Sequence, residues 1–101
     1  MFLVNLEYFH GDKPLIIPHR GGSNLVPENT KHGLEFTTKE GFTHFETDLR
    51  MSKDGEIFLH HDDSFDRTTE ISGKVRDFNW HEISKINAGY KFYKRKGLHE
   101  M

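Results

Sequence analysis

The spacing of hydrophobic and polar positions changes several times along this chain, and each change marks a predicted element. "LIIP" at residues 15–18 is a short apolar run between Pro14 and the glycine pair at 21 and 22, which reads as a buried strand. That strand carries His19 and Arg20 to its edge. "GGSNLVPENT" is rich in turn formers, and its closing Asn29-Thr30 offers N-cap chemistry. A helix is therefore predicted from Thr30 to Glu40, with Leu34 and Phe36 as bulky positions and Gly41 as its left-handed stop.

The period then drops to two. Phe45, Thr47, Leu49 and Met51 alternate with Glu46, Asp48, Arg50 and Ser52, the signature of a strand with both carboxylates on one face. Asp54-Gly55 is a hairpin signal, and "EIFLHH" supplies the returning strand. Taken as a two-residue loop, Asp54-Gly55 sets Asp48 opposite His61. Opposed side chains lie about 5 Å apart on one face, so Glu46, Asp48 and His61 are expected to converge. Alternation leaves His60 as a packing residue. The polar "DDSFDRTTEISGKV" reads as a loop, and Trp80, Ile83 and Ile86 at spacing three predict a short amphipathic helix ended by Gly89.

No repeat, low-complexity tract or linker divides the 101 residues, so residues 1–101 are expected to form a single domain. Apolar residues make up 34% and charged residues 30%, a polar balance for a folded unit, although nine Phe argue against disorder. The net charge of −2, with basic residues scattered until the closing "KFYKRKG", argues against a nucleic-acid partner. The absence of cysteine removes disulfides and thiolate metal sites. The apolar start is broken by Asn5 and Glu7 and no run reaches a membrane span, so a cytoplasmic location is expected.

Two carboxylates on one strand face offer an all-oxygen site suited to Ca²⁺ or Mg²⁺. Alternating acids on an exposed strand are more often a solvated face, and His19-Arg20 alone is ordinary among eight histidines. Their predicted convergence is what raises the chemistry. An imidazole at a strand end and a guanidinium that forks onto phosphate suit phosphoryl transfer, with Asp62 or Asp63 orienting an imidazole through its other nitrogen. Two histidines acting as base and acid across a metal-bound phosphodiester complete a cycle near neutral pH. No His pair has the i, i+4 helical spacing of a zinc protease, and zinc is set aside.

"HRGG" at 19, "PENT" at 27, "ETD" at 46, "KDG" at 53, "HD" at 61 and "RTT" at 67 together resemble the glycerophosphodiester phosphodiesterase family. The resemblance covers about residues 15–92, since "WHEISKINAGYKF" also looks like the family's next segment. It implies an α/β fold, the N-terminal part of a TIM barrel with a β-hairpin excursion, and hydrolysis of glycerophosphodiesters to glycerol 3-phosphate and an alcohol with a divalent cation. By the same resemblance His19 and His61 match the acid/base pair, Glu46 and Asp48 match metal ligands, and Arg20 matches the phosphate-contacting arginine. Glu28 matches a position that contacts metal or substrate.

A TIM barrel takes about 250 residues, so the barrel is not expected to close within this chain, and a third acidic ligand from a later strand has no counterpart in its motifs. A truncated or cut family member is the expected explanation. Two functions are carried forward. One is the phosphodiesterase, completed by self-association through open sheet edges. The other is a catalytically inactive fragment that binds a cation, phosphate or a protein partner.

Overall fold

The computed structural model describes residues 15–97. Helix α1 runs from Lys31 to Lys39, strands β1 (Leu49–Met51) and β2 (Ile57–Leu59) form an antiparallel pair, and helices α2 (Trp80–Ile83) and α3 (Tyr90–Arg95) follow. A single turn of 3₁₀ helix at Val75–Asp77 and a tight turn at His19–Gly21 complete the set. The result is an open α/β unit whose sheet has two strands among the described residues. The apolar start within residues 1–14 lies outside them.

Helix α1 forms where the sequence predicts it. Thr30 caps it by accepting the Gly33 N–H on Oγ1 at 3.0 Å, and beyond the Glu40 C-cap Gly41 takes φ 97°. The "LIIP" strand does not form among the described residues. Its carbonyl at Pro18 takes the Glu46 N–H at 3.0 Å, and a single bond of this kind does not make a ladder. Residues 45–48 likewise lie outside strand β1, so the predicted strand shrinks to its last three residues.

The hairpin register differs from expectation by one residue. Leu49 pairs with Leu59, Arg50 with Phe58 and Met51 with Ile57. The loop has three residues, not two: Ser52 N–H donates to Glu56 O at 2.9 Å, Gly55 N–H returns to Ser52 O at 3.1 Å, and Gly55 sits at φ 90°. This is a turn followed by a glycine bulge, which adds a residue to the connection. The shift sets Asp48 opposite His60, whose N–H donates to Asp48 O at 3.0 Å.

Phe58 and its side of the hairpin face the core of Phe65, Val75 and Ile83, with Ile71, Phe78 and Ile86 around it. His60 packs there, its ring 5.1 Å from Phe65 and its Nε2 2.8 Å from Ser64 O, as expected of a packing residue. Leu49, Met51 and Ile57 occupy the opposite face and are exposed.

Gly89 does not stop a helix. α2 is only four residues long, and Ile86 N–H bonds back to Ile83 O at 3.0 Å, a tight turn that continues the spacing of three without a helix. Gly89 instead precedes α3 as its N-cap, its N–H taken by Asn87 Oδ1 at 3.0 Å. α3 docks through Lys91 N–H on Thr68 O at 3.1 Å and the buried Tyr93 ring, which meets His32 edge-on.

Candidate functional site

Three segments are stitched together at the end of the sheet. Glu46 N–H donates to Pro18 O, Gly21 N–H to Glu46 O at 3.0 Å, and Asn29 N–H to Arg20 O at 2.9 Å. The turn that carries His19 and Arg20 is thereby fixed between residue 46 and the loop before α1. It folds back so sharply that Arg20 takes φ 52° and Gly21 φ 74°, and a side chain at Gly21 would meet Leu34 Cδ2 at 2.8 Å. Positive φ at an arginine is a sparsely populated state, held by its surroundings.

From this turn Arg20 reaches most of the predicted residues. Its backbone N–H lies 3.3 Å from Glu46 Oε1, its Nη1 3.3 Å from Glu28 Oε2, and its Nη2 3.0 Å from His61 Nε2. The network continues as a closed ring. His61 Nδ1 lies 2.6 Å from Asp62 Oδ1, Asp62 accepts from Arg67 Nε at 2.9 Å, and Arg67 grips both Glu28 oxygens at 2.8 and 2.9 Å. Arg20, Glu28, Arg67, Asp62 and His61 thus form one cycle of charge-assisted bonds.

The cycle fixes a tautomer. A guanidinium only donates, so His61 Nε2 accepts from Arg20 and the ring proton sits on Nδ1, directed at Asp62. Arg67 holds the Asp62 carboxyl far below its ordinary range, with the bond from His61 adding to the effect. The same guanidinium, more than burial opposes it, keeps the Glu28 carboxyl below its usual value, with Arg20 assisting. Both carboxylates push the Arg67 guanidinium further above its already high value.

Of the two candidate orienting acids, Asp62 meets His61, whereas Asp63 pairs with Lys74 at 2.9 Å. His61 reaches the cluster because the chain bends after Leu59, not because of hairpin register. His19 is 66% exposed and lies 3.9 Å from Glu46 Oε1, beside the cycle and not in it.

Asp48 is engaged by Asn29, which donates to Oδ2 at 3.1 Å and accepts the Asp48 N–H at 3.1 Å. Asn29 is buried and itself at φ 54°. Glu46 and Asp48 have the oxygen donors that a hard cation takes. Among the described residues, however, no three His, Cys, Asp or Glu side chains are grouped to hold a metal ion. The donor type fits Ca²⁺ or Mg²⁺, and the number of ligands falls short.

Sequence reasoning gave no role to Arg67 or to the Asn29 side chain. Arg67 stands in the "RTT" motif, but its partner Glu28 is 39 residues away, a pairing no local pattern reveals. Of the Asn29-Thr30 pair Thr30 supplies the expected N-cap, which leaves the Asn29 side chain to hold Asp48.

Residues 19–99 match the Glycerophosphoryl diester phosphodiesterase family. A glycerophosphodiester phosphodiesterase of Caldanaerobacter subterraneus is 44% identical over 80 residues, covering 79% of this chain and 33% of the relative. The human glycerophosphoinositol inositolphosphodiesterase is 41% identical over 92 residues, covering 83% of this chain and 17% of the relative. An Oleispira antarctica phosphodiesterase solved with the product sn-glycerol-3-phosphate superposes with a TM-score of 0.73 at 35% identity, over 76% of this chain and 31% of that one. The chain therefore spans a third or less of the length of these relatives. Among the described residues no helix is long and apolar enough to cross a membrane.

Proposed function

This chain belongs to the glycerophosphoryl diester phosphodiesterase family, and from that premise we propose that residues 1–101 are one partial domain, the N-terminal part of a TIM barrel. Its site serves metal-dependent hydrolysis of glycerophosphodiesters to glycerol 3-phosphate and an alcohol. The observation that carries this reading is Arg20, which meets Glu28, Glu46 and His61 from a single strained turn. Its Nε–H is buried without a partner among the described residues, a donor whose lost hydrogen bond costs about 1–3 kcal/mol. Such a cost is tolerated where a guanidinium has work to do, here on the phosphate oxygens.

His61 acts as the base. With its proton on Nδ1 directed at Asp62, its Nε2 accepts a proton from the attacking water or substrate hydroxyl once Arg20, which donates to Nε2 at 3.0 Å in this structure, turns to the phosphate oxygens. His19, exposed at the turn, delivers a proton to the leaving alcohol oxygen, and the net reaction adds one water across the P–O bond. Glu46 and Asp48 would hold a Ca²⁺ or Mg²⁺ ion, with Asn29 orienting Asp48. When bound, such an ion neutralises charge on the phosphate oxygens. Release of glycerol 3-phosphate from glycerophosphocholine, followed with Ca²⁺, Mg²⁺ or chelator, tests the proposal. Release that is unaffected by chelator contradicts the metal assignment.

A second reading, a catalytically inactive fragment that binds a cation, phosphate or a protein partner, is favoured by the exposed face of the hairpin. Leu49 is 64% exposed, and Met51 and Ile57 are 56% exposed each, beside open strand edges. On this reading a second copy of the chain covers that face. Sedimentation over a range of concentrations then shows self-association, and Met51→Lys abolishes it; a concentration-independent monomer contradicts it.

A further inference from the structure

Beside Arg20 and Glu28 opens a cleft of about 580 Å³, walled by the loop before α1, by Arg67-Thr68 and by α3. Its volume is that of a small-molecule site. Its charge is unlike that of the chain. The net charge of the whole is −2, yet the cleft lining contains Arg20, Arg67, Lys91, Lys94 and Arg95 against the single carboxylate of Glu28.

These five cations fall into two groups. Arg20 and Arg67 are compensated by Glu28 and Asp62. The three on α3 have no carboxylate partner among the described residues: Lys91 Nζ rests on the Asp66 carbonyl at 3.1 Å, Lys94 lies 5.7 Å from the Tyr90 ring centre, and Arg95 lies 5.9 Å from that of Phe92. Spacing of three and four sets them on one side of the helix. The helix is anchored by the Lys91 N–H bond to Thr68 and by buried Tyr93, so the three charges are presented from a docked element and not from a free tail. Like charges gathered without counter-charges are unfavourable in themselves, and an anion between them relieves the repulsion.

We propose that this cleft receives a second anionic group on the alcohol side of the diester, so that the substrate class is glycerophosphodiesters whose headgroup carries its own phosphate. The inference rests on the phosphodiesterase reading, since Arg20 and Glu28 border both the cleft and the position assigned to the diester phosphate. A zwitterionic headgroup such as choline brings a cation into a positive cleft, and the geometry disfavours it.

Isothermal titration of the full chain with glycerophosphoinositol 4-phosphate and with glycerophosphocholine tests this, beside the double variant Lys94→Ser/Arg95→Ser. Both replaced side chains are exposed, so folding is preserved. The phosphorylated ligand binds more tightly than the choline ligand, and the double variant loses about tenfold in affinity for the former and less than about twofold for the latter. The preference shrinks as salt is raised. Equal affinity for the two ligands, or an unchanged affinity in the double variant, overturns the proposal. So does sedimentation with vesicles of phosphatidylinositol 4-phosphate by a chain that ignores the soluble ligand, which assigns the face to a lipid surface. Turnover reports separately: headgroup-blind hydrolysis retains the phosphodiesterase and removes the cleft, whereas tight, headgroup-selective binding without hydrolysis does the reverse.

Discussion

His61 directs Nδ1 at Asp62 Oδ1 across 2.6 Å while its Nε2 accepts from Arg20 at 3.0 Å, and the two contacts together set the orientation of the ring. Asp62 touches no part of the position assigned to substrate. It acts through His61, as a positioning residue.

Asp62→Asn keeps the shape and removes the charge. On the proposed mechanism kcat falls about 10- to 100-fold while KM moves little. Because Arg20 still donates to Nε2 in the variant, the Nδ1–H form is expected to persist, and the ¹⁵N shift of Nδ1 is expected to report the weaker bond to a neutral partner. Unchanged Nδ1 shift and unchanged kcat contradict the positioning role.

The Arg67 clamp makes stability depend on pH in a defined direction. Asp62 and Glu28 both have carboxyl groups depressed in the folded chain, chiefly by hydrogen bonds from Arg67. A depressed carboxyl contributes stability that is fully present above its unfolded value, near pH 4, and is lost as pH falls through the folded value. Urea midpoints are therefore expected to be level from pH 7 to about 5 and to decline below pH 4. Arg67→Ala flattens that decline and, because Arg67 is 46% exposed, costs only about 1 kcal/mol at pH 7. An unchanged acid slope in the variant contradicts the clamp.

Gly21 and Gly55 both hold positive φ, but only Gly21 is crowded. Alanine at Gly55 meets open space and is expected to cost about 1 kcal/mol of conformational strain. Alanine at Gly21 adds a contact that Leu34 must move to relieve and is expected to cost about 1–3 kcal/mol. Chemical denaturation of the two variants tests the difference. Equal costs would show that the turn is not braced against α1.

The parts of this fold that rest on local chemistry were legible in the sequence. Thr30 and Gly41 bracket α1 because caps act within one turn of chain. The carboxylates, Arg20 and His61 were identified by residue type and by resemblance. Their meeting was legible only in part, because it comes from the bend after Leu59 and the strained turn at Arg20 and not from strand pairing. The register failed on one residue: Lys53 stays in the loop, its N–H donated to Phe78 O at 2.9 Å and not across the hairpin, while Asp54 beside it accepts from Ser52 Oγ at 2.6 Å and from the Trp80 N–H at 2.9 Å, the latter a contact 26 residues distant. Gly89 misled for a related reason. At φ −98° it is not in the left-handed region that ends helices, and only the docking of α3 on Thr68 shows that a helix begins there.

The most direct test of the site is ³¹P NMR of glycerophosphocholine incubated with the chain and Mg²⁺ or Ca²⁺, beside His61→Ala. The diester resonance is expected to be replaced by that of glycerol 3-phosphate in the wild type and to persist in the variant. Equal conversion by both chains would contradict the assignment of His61 as the base.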